Sequence, residues 1–412
     1  MIPKYKIDTI TLTHATHQDN LEYHHYKNQV KKMFPVKDYY HLFPGSDMQM
    51  LKDPSLLPDA LLTLIKDKKM GLVIDYCREC HWNIIDLIYA YFITDKGIPP
   101  EQITLLCASV DHKEYLDKIS KEYEMGKINI LYSSYFEMIA KSLYIDKISG
   151  DVLSPLSSKH FTKKYINLNR RWKTHRLAML ALLHQQGLLN QGYNSFPLIS
   201  ECVAQAPPKR KQYIKAFFLE TKDNIVSQDM DDNQLYEILF NNTLADYPHI
   251  EDLLTKGKSV QQTLPLKVDT DNFARDERKH MAYSDQKSLF KFARNSYFTI
   301  VTESNFNSDT ARLITEKTYK PMFYKHPFIL LAPPKSLQWL RELGYKTFDP
   351  VIDESYDLEQ DDSIRLKKIL HEANRLCNLN NDELVEFCDK LLPIVNHNFA
   401  VLKSKSNHLL QI

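Results

Sequence analysis

The chain has 412 residues, 43% of them hydrophobic and 25% charged, with a net charge of +1. That length accommodates two ordinary domains or two halves sharing an interface, and the near-neutral balance excludes a general attraction to nucleic acid or anionic membranes. Glycine occurs only nine times, so neither a G-x-G-x-x-G turn nor a Walker A loop can be written, and a phosphorylated ligand would have to be held by Arg, Lys and helix N-termini.

The N-terminal "MIPKYKIDTITLTHATHQDN" lacks the apolar core of a signal peptide. The six cysteines are therefore expected to be reduced thiols in a cytoplasm. The most apolar stretch, "NIIDLIYAYFI" at 83–93, is far short of the roughly 20 residues a membrane-spanning helix needs. No transmembrane segment is expected.

Strand and helix patterns alternate over the first 160 residues. "GLVIDYC" (71–77), "QITLLCAS" (102–109) and "KINILYSS" (127–134) read as buried strands, and "NIIDLIYAYFITDKG" reads as a helix. Such alternation implies β-α-β units and a parallel sheet. The first of these strands runs into Cys77-Arg78-Glu79-Cys80-His81, which matches the C-x-x-C-H pattern of haem attachment. Haem attachment would require an export route, and a zinc site would require a second cysteine pair. Cys107, Cys202, Cys377 and Cys388 stand apart. A C-x-x-C after a strand also fits thiol redox chemistry. The remaining reading is a strand-end loop exposing Arg78, Glu79 and His81, with Glu79 as its carboxylate and a candidate general base.

The segment "DKISGDVLSPLSSKH" (146–160) has the composition of a linker, and a second α/β unit follows it. Tyr165 to Leu168 suits a strand, Leu177, Leu180 and Leu183 recur at helical spacing, and Gly187 suits a helix C-cap. Asn167, Asn169, Arg170 and Arg171 fall at the end of that strand. Adjacent arginines there either clamp phosphate with bidentate geometry or form a solvated basic turn. His175 is expected at the surface or in a cap. Residues 200–290 read as mixed helices and loops around the basic "PPKRKQYIK" and the acidic "SQDMDDNQ". Asp269-Thr270-Asp271 is a D-x-D without a third ligand, and no metal site is expected.

From 296 the pattern clears. "YFTIVTES" reads as a strand, "LITEKTYKPMFYK" as a helix capped by Thr315, "PFILLA" as a strand, "KSLQWLREL" as a helix closed by Gly344, and "YKTF" as another strand before terminal helices. The helix start at Thr315 offers free N–H groups and partial positive charge. Lys317 and Lys320 beside it suit a diphosphate, and Glu316 can accept hydrogen bonds from vicinal ribose hydroxyls. The alternative is an ordinary capped helix with an acid in its first turn. Glu303, ending the preceding strand, is assigned with Arg78 and His81 to a cleft that an acceptor would enter. The expected architecture is α/β, with two Rossmann-like domains facing across a cleft: residues 1–155, residues 156–385, and a helical tail at 386–412 packing back on the first domain. Ligands in such sheets sit beyond the C-terminal strand ends.

The segment "FTIVTES…LITEKTYKPMFYKHPFILLAPPKSLQWLRELGYKTF" resembles the donor-binding region of fucosyltransferase-type glycosyltransferases, which have the GT-B fold. It is more similar still to phage and bacterial proteins described as glycosyltransferases. These carry an N-R-x-x-x-x-H-R element, here Asn169 to Arg176, and a T-E-K-x-x-K-P element, here Thr315 to Pro321. The resemblance implies a nucleotide-sugar donor (a GDP-sugar or UDP-sugar) and no required cofactor or metal. It implies Glu316 on the ribose, Lys317 on a phosphate, Arg170 or Arg171 on the diphosphate, and Glu79 as the base for displacement with inversion. The chain departs from the fucosyltransferases after T-E-K, where Lys320, Pro321 and Lys325 replace an Asn and a small residue, so GDP-fucose is not implied. The acceptor is left open among a glycan, a lipid-linked sugar, a protein and a modified nucleic-acid base. The rival readings are a non-catalytic nucleotide- or glycan-binding protein on the same fold and a thiol redox protein using Cys77 and Cys80.

Overall fold

The structure, a computed structural model, describes residues 39–42, 57–77, 83–141, 161–169, 171–198, 230–266, 292–405 and 409–411. They divide into two compact units. One takes in the described residues up to Ile139, together with Asp309–Ile314 and the segment from Lys405. The other takes in Ala140–Ser308 and Thr315–Ser404.

In the first unit, strands β1 (Tyr39–Leu42), β2 (Gly71–Tyr76), β3 (Ile103–Cys107) and β4 (Asn129–Ser133) lie parallel in chain order. Helices α1 (Asp59–Lys66), α2 (Asn83–Leu87) and α3 (His112–Glu122) connect them, and α4 (Tyr135–Ala140) follows β4. Leu72, Ile74, Ile103 and Leu105 are fully buried, and strands covered on both faces read as continuous apolar runs, which is why "GLVIDY" and "ITLLC" stand out in the sequence. Beyond α2 the helix widens to π geometry over Ile88–Asp95, where the Lys96 N–H donates to the Tyr91 carbonyl at 2.9 Å. The segment Asp309–Ile314 joins this unit through Arg312, whose backbone N–H and Nε each donate to the Asp111 carboxylate at 2.7 Å. Ala311 and Leu313 pack with Ala108 and Phe136.

In the second unit, β5 (Tyr165–Leu168), β6 (Gly192–Ser195), β7 (Phe298–Thr302) and β8 (Phe328–Leu331) form a parallel sheet in the order β6-β5-β7-β8. Its helices are α5 (Thr174–Gln185), α6 (Asp232–Asp246), α7 (Glu251–Gly257), α8 (Glu316–Phe323), α9 (Ser336–Glu342), α10 (Asp362–Asn378) and α11 (Asn381–Ser404). A capping box opens α6: the Gln234 N–H donates to Asp231 Oδ1 at 2.9 Å and the Asp231 N–H to Gln234 Oε1 at 3.0 Å. Every side chain from Leu177 to Leu183 is fully buried, so α5 is covered all round. Two scarce glycines permit close approaches. A Cβ on Gly192 would lie 2.2 Å from the Tyr165 ring, and one on Gly257 would lie 2.3 Å from the Ala181 carbonyl oxygen.

The α/β class, with a Rossmann-like sheet in each unit and C-terminal helices, agrees with the sequence pattern, but three details differ. "YKTF" is not a strand. The Lys346 N–H donates to Asn398 Oδ1 at 2.8 Å, Asn398 Nδ2 donates back to the Lys346 carbonyl at 2.8 Å, and the Phe348 N–H donates to Glu354 at 2.6 Å. These side chains take the backbone groups that a neighbouring strand would have used. Of the expected tail, α11 clusters with the second unit, where Phe399 stacks on Phe323 with Lys325 over its ring. From Lys405 the chain returns to the first unit as strand β9 (Leu409–Gln411), antiparallel to β4. Strands β1 and β6 have no counterpart in the sequence reading, and the expected boundary at 155/156 lies outside the described residues.

Overpacking a tight helix crossing typically costs about 1–3 kcal/mol. Gly257→Ala is therefore expected to lower the urea midpoint of unfolding. Gly126→Ala, whose added Cβ meets only the Pro100 side chain at 3.7 Å, should leave the midpoint nearly unchanged.

Candidate functional site

Strand β5 enters the second sheet first; the chain then adds β6 on one side and β7 on the other. The strand order therefore reverses between β5 and β7, and the crevice for ligands in such sheets opens at the carboxyl ends of that pair. Asn169 follows β5, Glu303 follows β7, and Thr315, Glu316 and Lys317 open the next helix, α8, with Lys320 one turn on.

Asn169 is buried and ties three strands together. Its N–H donates to the Ser195 carbonyl at 2.9 Å, its Nδ2 to Asn167 Oδ1 at 2.8 Å, and its Oδ1 accepts from the Thr302 hydroxyl at 2.5 Å. It lies beneath the crevice rather than at its surface. Arg171 is exposed, while Arg170 lies outside the described residues.

Glu303, assigned from the sequence to an acceptor cleft, is fully buried against the N-terminus of α8. One carboxylate oxygen, Oε1, accepts from the Thr315 N–H at 3.0 Å and the Thr318 hydroxyl at 2.5 Å. The other, Oε2, accepts from the Thr315 hydroxyl at 2.6 Å and the Ser304 N–H at 3.2 Å. Its main-chain carbonyl accepts from Arg176 Nη2 at 2.9 Å and lies 3.0 Å from His175 Nε2. A buried carboxylate is tolerated when its lone pairs are filled in this way.

His175 is not at the surface or in a cap. It is buried and stacks on Phe306, with ring centroids 5.6 Å apart, and the Arg365 guanidinium lies 4.3 Å from the same ring. Burial, with the Arg176 and Lys173 charges adding to it, pushes the His175 pKa well below its ordinary value. That shift favours the neutral ring, in which an Nε2 facing a carbonyl is the nitrogen placed to donate. The continuous apolar run "LAMLALL" after His175 is the sequence sign that this helix is buried on every side. Arg365, almost 60 residues from its Phe306 carbonyl partner, has no such local sign.

Thr315 caps α8, its Oγ1 accepting from the Lys317 N–H at 3.3 Å. The Lys317 ammonium donates to Thr315 Oγ1 at 3.1 Å, Ser304 Oγ at 3.3 Å and Glu316 Oε1 at 3.2 Å. Burial acts to raise the Glu316 pKa, but Lys317 and Lys320 outweigh it and hold the carboxyl at about 2. About a third of the Glu316 side chain stays accessible, 32% against 30% for Lys317. Glu316, Lys317 and Lys320 thus form an ionised, half-exposed group at a helix N-terminus.

In the first unit Cys77 ends β2 as a buried thiol, its N–H donating to Asp75 Oδ1 at 3.1 Å. Burial, with the Asp75 charge adding to it, pushes its pKa well above the ordinary value. An attacking cysteine needs the opposite shift, so Cys77 is not set up as the nucleophile of a redox pair. Cys80 lies outside the described residues, as do Arg78, Glu79, His81, Asp269 and Asp271. Among the described residues no group of three His, Cys, Asp or Glu side chains gathers as metal ligands would, and no helix is long and apolar enough to cross a membrane.

No protein-family model matches the chain, and no curated protein matches it in sequence. Two solved structures show a low similarity. One is the N-terminal domain of Candida albicans trehalose-6-phosphate phosphatase, at 10% identity and a TM-score of 0.37 over 94% of this chain and 75% of that one. The other is α,α-trehalose 6-phosphate synthase from Burkholderia multivorans, at 12% identity and a TM-score of 0.39 over 95% and 74%. Likenesses at this level carry no argument about substrate or mechanism.

At the amino-terminal edge of the second unit's sheet, opposite the crevice, His326 is buried between the Thr299 hydroxyl at 2.7 Å and the Ser296 carbonyl at 2.8 Å, and burial pushes its pKa down to about 4. An unfolded histidine takes up its proton near pH 6.5. Between that pH and 4 the unfolded chain holds more protons, so stability is full above 6.5 and is lost as pH falls. His175 shifts in the same direction. The loss from His326 is expected to be on the order of 3 kcal/mol, measured as urea midpoints between pH 7 and 4. His326→Gln should flatten part of that slope.

Proposed function

We propose that the protein is a glycosyltransferase of GT-B type, transferring a sugar from a nucleotide-sugar donor to an acceptor hydroxyl. The observation that carries this reading is the ionised Glu316, Lys317 and Lys320 group, half-exposed on a helix N-terminus at the strand-order reversal. Glu316 would accept from the ribose diol, while Lys317, Lys320, Arg170 and Arg171 would neutralise the leaving diphosphate. Cations positioned there stabilise charge that develops as the glycosidic bond breaks. Residues 1–155 would serve the acceptor and residues 156–385 the donor. Glu79, which lies outside the described residues, would deprotonate the acceptor hydroxyl for direct displacement with inversion and without a metal. The donor would be a GDP-sugar or UDP-sugar, and the acceptor a glycan, lipid-linked sugar, protein or modified nucleic-acid base.

Thermal-shift measurements with GDP-, UDP-, CDP- and TDP-sugars identify the donor by its stabilisation of the protein. Hydrogen bonds to a charged group are worth about 1.5–3 kcal/mol, so Glu316→Ala is expected to weaken donor binding by about tenfold or more. Glu79→Gln should bind donor normally while turnover falls by about 100-fold or more. Full activity in both variants would show that the site is misassigned. Donor binding by the wild type without transfer to any acceptor class would favour the non-catalytic binding protein.

A further inference from the structure

We propose that Glu303 is a positioning residue for phosphate recognition: its buried carboxylate fixes the Thr315 hydroxyl, which in turn fixes the Lys317 ammonium. The inference rests on the nucleotide-sugar reading of this site. Glu303 would touch no part of the ligand.

The argument runs through one hydroxyl group. A threonine hydroxyl has a single proton and two acceptor lone pairs. In Thr315 the proton goes to Glu303 Oε2 at 2.6 Å, which leaves the oxygen to accept from the Lys317 N–H at 3.3 Å and from Lys317 Nζ at 3.1 Å. Without the carboxylate the hydroxyl could rotate and turn its proton towards the ammonium. The same carboxylate holds the Thr315 N–H and the Thr318 hydroxyl, which fixes the cap residue and the first turn of α8 on either side of Lys317. Glu303 is itself held, because its carbonyl is bound by Arg176 and faces His175 on α5. A rigid strand end thereby sets the direction of a flexible lysine.

The three ammonium protons of Lys317 already have three acceptors: Thr315 Oγ1, Ser304 Oγ and Glu316 Oε1. An incoming phosphate oxygen must replace one of them. Thr315 is buried and tied to Glu303, whereas Glu316 is about one-third exposed. Ser304, half-buried at 3.3 Å, and Glu316 are the partners that can give way, and of these the departure of Glu316 also frees a carboxylate for the ribose. Phosphate and ribose recognition are then two ends of one exchange that Glu303 anchors.

The test measures binding of a nucleoside, its monophosphate and its diphosphate by calorimetry, using the base identified by the thermal-shift screen. The quantity read is the gain in affinity from nucleoside to diphosphate. Glu303→Gln is expected to reduce that gain about tenfold or more while leaving nucleoside affinity unchanged. A loss of purely structural origin would instead lower both affinities together, and that result overturns the proposal. Should Glu303→Gln fail to fold, Thr315→Val removes the hydroxyl with the carboxylate retained and should lose the same gain, with Thr315→Ser recovering most of it. An undiminished gain in Glu303→Gln, or in Thr315→Val, also overturns the proposal but leaves the donor site standing. Absence of nucleoside diphosphate binding by the wild-type protein overturns both readings.

Discussion

Parallel pairing between β5 and β7 brings together residues 133 positions apart, and the hydroxyl of Thr302 on Asn169 closes the gap between them. Everything at the candidate site depends on that join. With β7 beside β5, the carbonyls of Thr302 and Glu303 come within reach of Arg176 on the helix that follows β5. The Glu303 side chain is then delivered to the start of α8. Chain order alone would separate these groups; the crossover places them at one strand end, on the side where ligands of such sheets bind.

Charge is managed there by geometry rather than by pairing each ion with its opposite. Glu303 is filled by neutral donors, two hydroxyls and two backbone N–H groups. Arg176 donates to the carbonyls of Arg171, Thr302 and Glu303. His175, beside Arg176, stays uncharged, because burial and the neighbouring cations oppose its protonation. At α8, Glu316, Lys317 and Lys320 carry charge towards solvent, and a mutually paired group of that kind is easily reorganised by an arriving ligand.

Much of this was legible in the sequence where the chemistry is local. Thr315 is a cap because a hydroxyl two residues ahead of a backbone N–H can accept from it, and the three residues that follow can be read directly. Gly187 and Gly344 close their helices with φ of +69° and +93°, conformations that favour glycine. Strands β2, β3, β5, β7 and β8 betray themselves by apolar runs. What escaped depends on partners far along the chain. Glu303 is an ordinary strand-end acid until α8 folds over it, and His175 is an ordinary helix-start histidine until Phe306 and the Glu303 carbonyl close over it. Tyr345–Phe348 has strand composition, yet Asn398 and Glu354 take its backbone groups first. The amphipathic pattern of α11 likewise shows that one face is buried without naming the surface that buries it.

The return of the chain from Lys405 to β4 bears on biosynthesis. Lys405 Nζ lies 3.4 Å from Glu137, and Leu409–Gln411 pairs antiparallel with β4. During vectorial translation β4 is complete long before those residues emerge, so one edge of the first sheet waits, unpaired, for the whole second unit to be made. Exposed edges recruit other strands, and domains ordinarily fold as they leave the ribosome. The first unit of this protein begins folding first and finishes last, so the interval in which a nascent chain is open to mispairing lengthens with the time taken to translate the second unit.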